Sequence, residues 1–419
     1  MHVVLDISRL LGLAWAGQPT GIDRVEFAHS RHWRGFPARD VTFVAQSPWG
    51  WYAALPDNLA RGLLQEADRA VAPGKEGLLT RFRAMAAAAL SLNFYGVGRR
   101  DLARRVAGRN DSVFLIVSHR ALHHERATGA LIALGARFVP LLHDVIPLSH
   151  PEYTRPQATK QHVAKIDMVA RRAAGAMITT QAAADSLARY LERRQQPRPR
   201  MAITGLGLDL RSVPVRRSAP ATRPYFVMLG TIEPRKNHLL ALQIWRELAQ
   251  QDPEGAPRLL IIGRRGWENE HVFRMLDRGQ FHGLVEECGR LPDSEVARLV
   301  RGATAVLCPS FTEGFGLPLA EAIALGTPVI ASDIPAAREV GGEVPEYLHP
   351  LDFLGWRRAI LEMSDPRHPR REAQLARLAG WSAPSWNRHF SIVENFLSDL
   401  VRGPSMPSLP VESGRVVAI

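Results

Sequence analysis

Residues 310–321, Ser-Phe-Thr-Glu-Gly-Phe-Gly-Leu-Pro-Leu-Ala-Glu, constrain this chain more than any other stretch. Upstream, residues 303–308 are an apolar run of strand type. Downstream, residues 318–325 are rich in Ala, Leu and Glu, begin with a proline and stop at Gly326, the signature of a helix. A glycine loop feeding a helix N-terminus presents free backbone N–H groups and the positive end of the helix dipole, which suit phosphate oxygens. Glu313 lies in the loop and Glu321 opens the second helical turn, so one carboxylate faces the loop's ligand while the other accepts hydrogen bonds lower on the helix. Alone, Glu-Gly-x-Gly reads equally well as a turn with two ordinary glycines beside a solvated glutamate.

The residues that follow narrow the choice. Residues 326–333 give a helix stop and another buried-type strand, and residues 334–340 read Ile-Pro-Ala-Ala-Arg-Glu-Val. The whole run 308–340 resembles the donor-binding signature of retaining GT-B glycosyltransferases of the large family 4 class, and Glu313 and Glu321 match its Glu-x7-Glu element. The resemblance implies an α/β fold of two doubly wound Rossmann-like domains facing across a cleft. It also implies that Glu313 serves catalysis, that Gly314, Phe315, Gly316 and Leu317 cradle a nucleotide-diphosphate sugar, and that Glu321 holds its ribose.

A length of 419 residues suggests two domains of about 200 residues. The expected division is 1–205, an acceptor-side domain; 206–385, a nucleotide-sugar domain; 386–402, a helix crossing back; and 403–419, a disordered tail. The two cysteines, Cys288 and Cys308, offer neither a disulfide framework nor a metal cluster and fit a reducing cytoplasm. The N-terminus lacks a signal-peptide pattern, and nowhere do about 18 uncharged apolar residues run together.

The net charge of +12 is uneven: 29 Arg and Lys stand against 17 Asp and Glu through Val215, and 24 against 24 beyond it. Such asymmetry points to an anionic partner for the first half, foremost a membrane surface. Basic drift in an arginine-using chain is the alternative, since only four of 53 basic residues are lysines.

In that half, residues 3–7 read as a strand, followed by a loop through Gly12, Gly17 and Gly21 and a helix from Ile22. Residues 20–25, Thr-Gly-Ile-Asp-Arg-Val, resemble the family's N-terminal glycine loop, which places Gly21 near the donor diphosphate. The Ala-rich residues 78–92, flanked by arginines, fit either a basic amphipathic helix on a membrane or an ordinary helix with a solvated Arg face. Residues 56–110 otherwise resist reading. Residues 112–117 are a buried strand with Ser118 and His119 at its carboxyl end, and residues 137–142 another, capped by His143 and Asp144. His-Asp at a strand end is commonly structural, but its match to the family's His-Asp element implies a catalytic place beside the transferred sugar.

Residues 195–222, rich in Pro and Arg, read as a linker. A fresh β/α series then begins at Tyr225. Its first strand ends at Gly230, implied by the resemblance to lie at the donor, and Arg235 and Lys236 follow in Arg-Lys-Asn-His. Two adjacent cations after a strand are ordinarily a solvated turn. The family match implies that these two hold the diphosphate and stabilise the charge that develops as the glycosidic bond breaks. Arg290 and Leu291 match the place where family members recognise the base.

The expected activity is transfer of a hexose from a nucleotide-diphosphate sugar, GDP-mannose ahead of a UDP-sugar, to a glycan or lipid-linked acceptor in surface polysaccharide synthesis, with retention. Catalysis is expected from His143, Asp144, Arg235, Lys236 and Glu313, with no cofactor and no metal, since the chain has no Asp-x-Asp triplet. The expected place is the cytoplasm, peripheral on the inner membrane face. Two other classes stay open. A nucleic-acid binder is suggested only by charge, without aromatic and Arg interleaving, so no nucleic acid is expected as partner. A dinucleotide oxidoreductase needs Gly-x-Gly-x-x-Gly, a spacing that Gly12, Gly17 and Gly21 lack.

Overall fold

The computed structural model describes residues 1–16, 19–70, 78–118, 122–123, 125–209 and 223–403. His119, Gly17, Gln18, linker residues 210–222 and the tail after Gly403 lie outside them.

The N-terminal half alternates strand and helix: β1 (His2–Asp6), α1 (Ser8–Ala16), α2 (Gly21–Arg34), β2 (Val41–Gln46), β3 (Tyr52–Ala54), α3 (Asp57–Ala70), α4 (Leu78–Phe94), α5 (Arg99–Val106), β4 (Ser112–Ile116) and α6 (Glu125–Ala133). It continues through β5 (Arg137–Leu142), α7 (Ile146–Ser149), α8 (Pro156–Arg172), β6 (Ala176–Ile178), α9 (Gln181–Arg193) and β7 (Met201–Ile203). Every residue of β1 and β4 is buried, as parallel strands covered by helices on both faces require. The sheet order is β3-β2-β1-β4-β5-β6-β7, parallel except for the edge strand β3.

The second half repeats the plan with β8 (Tyr225–Leu229), α10 (His238–Gln251), β9 (Arg258–Ile262), α11 (Glu270–Arg278), β10 (Val285–Gly289), α12 (Asp293–Gly302) and β11 (Ala305–Cys308). Then come α13 (Leu317–Ala324), β12 (Val329–Ser332), α14 (Pro335–Gly341), β13 (Glu346–Leu348), α15 (Phe353–Ser364), α16 (Pro369–Ala379) and α17 (Trp386–Arg402). This sheet is ordered β10-β9-β8-β11-β12-β13. In each sheet the order of strand addition reverses once, between β1 and β4 and between β8 and β11, and ligands of such sheets bind outside the carboxyl ends of the strands at that point. The expected pair of doubly wound Rossmann-like domains is present.

The last helix joins the halves. Its buried residues His389, Phe390, Val393, Phe396, Leu397 and Leu400 fall at helical spacing, and they pack into the N-terminal core. Phe390 stacks on His32 of α2 with centroids 3.8 Å apart.

One expectation needs correction, and two stretches left open are now placed. Gly12 sits inside α1, not in a loop: Leu10, Leu11, Leu13 and Ala14 are buried, and that packing outweighs one mid-helix glycine. The Ala-rich helix α4 turns Phe82, Ala86 and Ala89 into the core, and Arg83 donates to the Ala14 carbonyl at 2.9 Å, so its apolar face is already occupied. Residues 56–110, of which the sequence marks only 78–92 as helical, hold three helices, α3 to α5.

Candidate active site

The carboxyl ends of β8 and β11 lie side by side at the second sheet's switch point, and the chain leaving each one supplies charge. After β8 and Gly230, a tight turn carries Glu233, Arg235 and Lys236. After β11, the loop carries Ser310 and Glu313. Arg235 Nη1 donates to Glu313 Oε2 at 2.7 Å, Lys236 Nζ to Oε1 at 2.5 Å, and Ser310 Oγ to the same Oε1 at 2.7 Å. Arg235 also pairs through Nε with Glu233 Oε1 at 2.6 Å. Asn237 Nδ2 bonds the carbonyls of Pro309 and Pro350, and Phe311 N donates to the Arg235 carbonyl, which fixes the basic turn against the acidic loop.

Burial alone would raise the Glu313 carboxyl, but Arg235 and Lys236 outweigh it and hold the pKa down to about 2. Burial dominates at Glu233, which is raised in spite of Arg235. His238, buried beside Lys236, is pushed down to about 3 and is neutral. The two cations are thus matched by two carboxylates. Any anion that displaced Glu313 would find the same donors already in place.

The opposing wall comes from the N-terminal domain. His143 Nε2 donates to the Val117 carbonyl at 2.8 Å, and burial lowers its pKa more than Val117 and Asp144 raise it, so the ring is neutral near pH 7. Asp144 Oδ1 accepts from Ile146 N at 3.0 Å at the start of α7, and its charge reaches Arg235. Gly314 presses directly on this pair: a Cβ there would stand 2.5 Å from the His143 carbonyl oxygen and 2.8 Å from Asp144 Cβ. Only glycine permits the approach. Thr180 Oγ1 donates to the Gly314 carbonyl at 2.8 Å, and Thr179 Oγ1 to the His143 carbonyl at 2.8 Å, tying the contact together.

Beyond Gly314, Phe315 is buried in the N-terminal core cluster, and Gly316 is the N-cap of α13. Leu317 meets Gly21, the first residue of α2, where a Cβ would lie 3.1 Å from Leu317 Cδ1. Two helix N-termini therefore face each other across the cleft. Arg24 bridges them, with Nη1 3.0 Å from Glu321 Oε1 and Nη2 2.6 Å from Asp293 Oδ1. Burial raises the Glu321 carboxyl against the pull of Arg24. Arg290 and Leu291 lie just before Asp293 at the carboxyl end of β10, the first exposed and the second packed on the core.

Sequence reasoning missed several participants. Arg9 Nε donates to Asp23 Oδ1 at 2.6 Å, and its charge contributes to lowering His143. Tyr153 stacks on Phe311 across the cleft with centroids 5.4 Å apart. Arg24 lies within the motif of residues 20–25, and Thr179 and Thr180 directly follow β6, yet nothing local marks their long-range partners. Among the described residues, no three His, Cys, Asp or Glu side chains gather as a metal site.

Residues 214–343 match the family Glycosyl transferases group 1. The chain is 36% identical over 132 residues to the O-antigen chain mannosyltransferase B of Escherichia coli, covering 32% of this chain and 34% of that protein. It is 45% identical over 139 residues to the O-antigen chain mannosyltransferase RfbU of Salmonella typhimurium, covering 32% and 37%. The chain thus spans about a third of the length of these curated relatives. Among solved structures, Anabaena Alr3699/HepE in complex with UDP superposes with a TM-score of 0.62 at 15% identity, over 95% of this chain and 100% of that one. The α,α-trehalose 6-phosphate synthase of Burkholderia multivorans gives 0.55 at 13%, over 95% and 98%. The fold is therefore GT-B.

Proposed function

We propose that this chain, whose residues 214–343 match the Glycosyl transferases group 1 family, moves a hexose from a nucleotide-diphosphate sugar to a glycan or lipid-linked acceptor, with retention of configuration. One observation carries the reading: Arg235, Lys236 and Glu313 form a single cluster beside the N-terminus of α13, directly opposite His143 and Asp144. The cations and the helix terminus hold the leaving diphosphate and stabilise its growing charge. Glu313 positions the cations and the sugar hydroxyls, and Glu321 accepts from the ribose. Neutral His143 and the Asp144 carboxylate line the acceptor side. In a front-face reaction the leaving phosphate helps take the acceptor's proton.

The donor we favour is GDP-mannose, supported by relatives named O-antigen mannosyltransferases; a UDP-sugar is the alternative, supported by a GT-B structure solved with UDP. The acceptor is a surface polysaccharide precursor, reached from the cytoplasmic face, with the basic first half attracted to anionic lipid. No described helix is long and apolar enough to cross a membrane.

The test is incubation with GDP-mannose and a panel of UDP-hexoses and oligosaccharide acceptors, with the new linkage read by NMR. Release of the nucleoside diphosphate with retained configuration supports the reading. An inverted product, or no turnover of any donor, overturns it.

A further inference from the structure

Outside the cleft, β3 and the helices α5 and α6 enclose a groove of about 750 Å³, within the usual ~300–1,000 Å³ of ligand clefts. Its lining includes Trp49, Trp51 and Tyr52 from one side and Arg99, Arg100 and Arg126 from the others. Trp49 is 61% exposed, an unusual state for an indole in a protein with ample core. The groove is built in advance. Gly98, at φ +91°, lies so close to β3 that a Cβ would fall 2.0 Å from the Ala54 carbonyl oxygen, and this approach brings the start of α5 down beside Trp51. Arg99 stacks over the Trp51 ring at 4.7 Å, and Trp49 packs against Phe94 at 5.7 Å.

The chemistry of the lining selects its occupant. Flat indole faces suit the C–H faces of pyranose rings. Neutral sugars, whose hydroxyls also donate, ordinarily require side-chain acceptors, and among the described residues no carboxylate lines this groove. Its charged groups are three guanidiniums, which only donate, and among the described residues none of the three is ion-paired. A bilayer would be met by side chains standing on a convex face, whereas these line a concavity. We propose that this groove binds an anionic saccharide segment, a stretch of sugar rings bearing carboxylate or phosphodiester groups, and holds the part of an acceptor glycan remote from the reacting hydroxyl. The inference rests on the transferase reading for its biological sense, but the binding itself needs no donor.

Calorimetry without donor, on the full chain, compares a hexuronate tetrasaccharide with a neutral tetrasaccharide. The acidic ligand is expected to bind at least tenfold more tightly. Trp49→Ala and Arg100→Ala are each expected to weaken it at least fivefold, with thermal midpoint and nucleoside-diphosphate affinity unchanged. Trp49→Ala is the decisive variant because it removes no charge, so attraction to the basic half as a whole would survive it. Equal affinity for the two sugars, or acidic binding indifferent to Trp49→Ala, overturns the proposal. So does failure of both sugars to bind while phosphatidylglycerol vesicles bind and lose that binding in Trp49→Ala, which would make the surface a membrane contact. Nucleotide binding with no sugar binding sinks the groove and leaves the transferase reading intact.

Discussion

Arg24 and Glu321 are 297 residues apart in the chain and 3.0 Å apart in space, joining the first helix turn of α2 to the helix that follows the glycine loop. The carboxylate assigned to the donor's ribose is therefore also a domain-crossing contact, and binding the nucleotide must redistribute its hydrogen bonds. Glu321→Ala is expected to weaken nucleoside-diphosphate binding by about 1–3 kcal/mol, the cost of leaving ribose hydroxyls unpaired. Because burial raises this carboxyl, affinity is expected to decline on acidification sooner than an ordinary glutamate would dictate. Calorimetry between pH 8 and pH 5 reads both effects, and a flat profile with unchanged affinity in the variant would remove Glu321 from the donor site.

Glu313 makes a different prediction. Its folded pKa is depressed from 4.5 to about 2, so its contribution to stability is present above pH 4.5 and lost as pH falls from there through about 2. Glu313→Gln is expected to cost roughly 3 kcal/mol at pH 7, on the order of a broken buried pair. In urea titrations, the gap between wild type and variant is expected to shrink steadily below pH 4.5. A gap that is constant with pH would mean that the ion pairs with Arg235 and Lys236 do not stabilise the fold.

Gly314→Ala tests the domain contact. The added methyl meets backbone at His143 rather than a movable side chain, so the domains must part or the loop must shift, at roughly 1–3 kcal/mol. Turnover is expected to fall at least tenfold while the isolated nucleoside diphosphate still binds. Full turnover in this variant would show that closure on His143 is not used.

How much of this was legible in sequence varied by element. The second domain's strands and its glycine loop stood out because β8, β9 and β11 are continuous apolar runs bounded by glycine, and Glu313 to Glu321 keeps a fixed spacing. Helix α1 was hidden because buried leucines on successive positions give no polar face to contrast with, and Gly12 imitates a loop. The edge strand β3 is three residues long, too short for a period to show. Arg24 was visible as a first-turn residue, but its partners Glu321 and Asp293 are set only when the two domains meet. The arginines around α5 were read for their charge alone. Their neighbours Trp49 and Trp51 arrive through the turn into β3, a tertiary relationship without local trace.

If Arg235, Lys236 and the start of α13 meet the diphosphate's charge as proposed, turnover with the right donor is expected to survive EDTA. Loss of activity on chelation, restored by magnesium or manganese, would assign that charge to a metal instead.

The proposed function depends most on the Arg235–Lys236 turn gripping the leaving diphosphate. Titrating GDP and UDP into the wild type and Lys236→Gln by calorimetry tests it most directly, with the parent nucleosides as controls. At least one diphosphate is expected to bind the wild type, and the variant to lose tenfold or more of that affinity, about 1.4 kcal/mol or above, while nucleoside affinity is unchanged. Equal diphosphate affinity in wild type and variant would contradict the account.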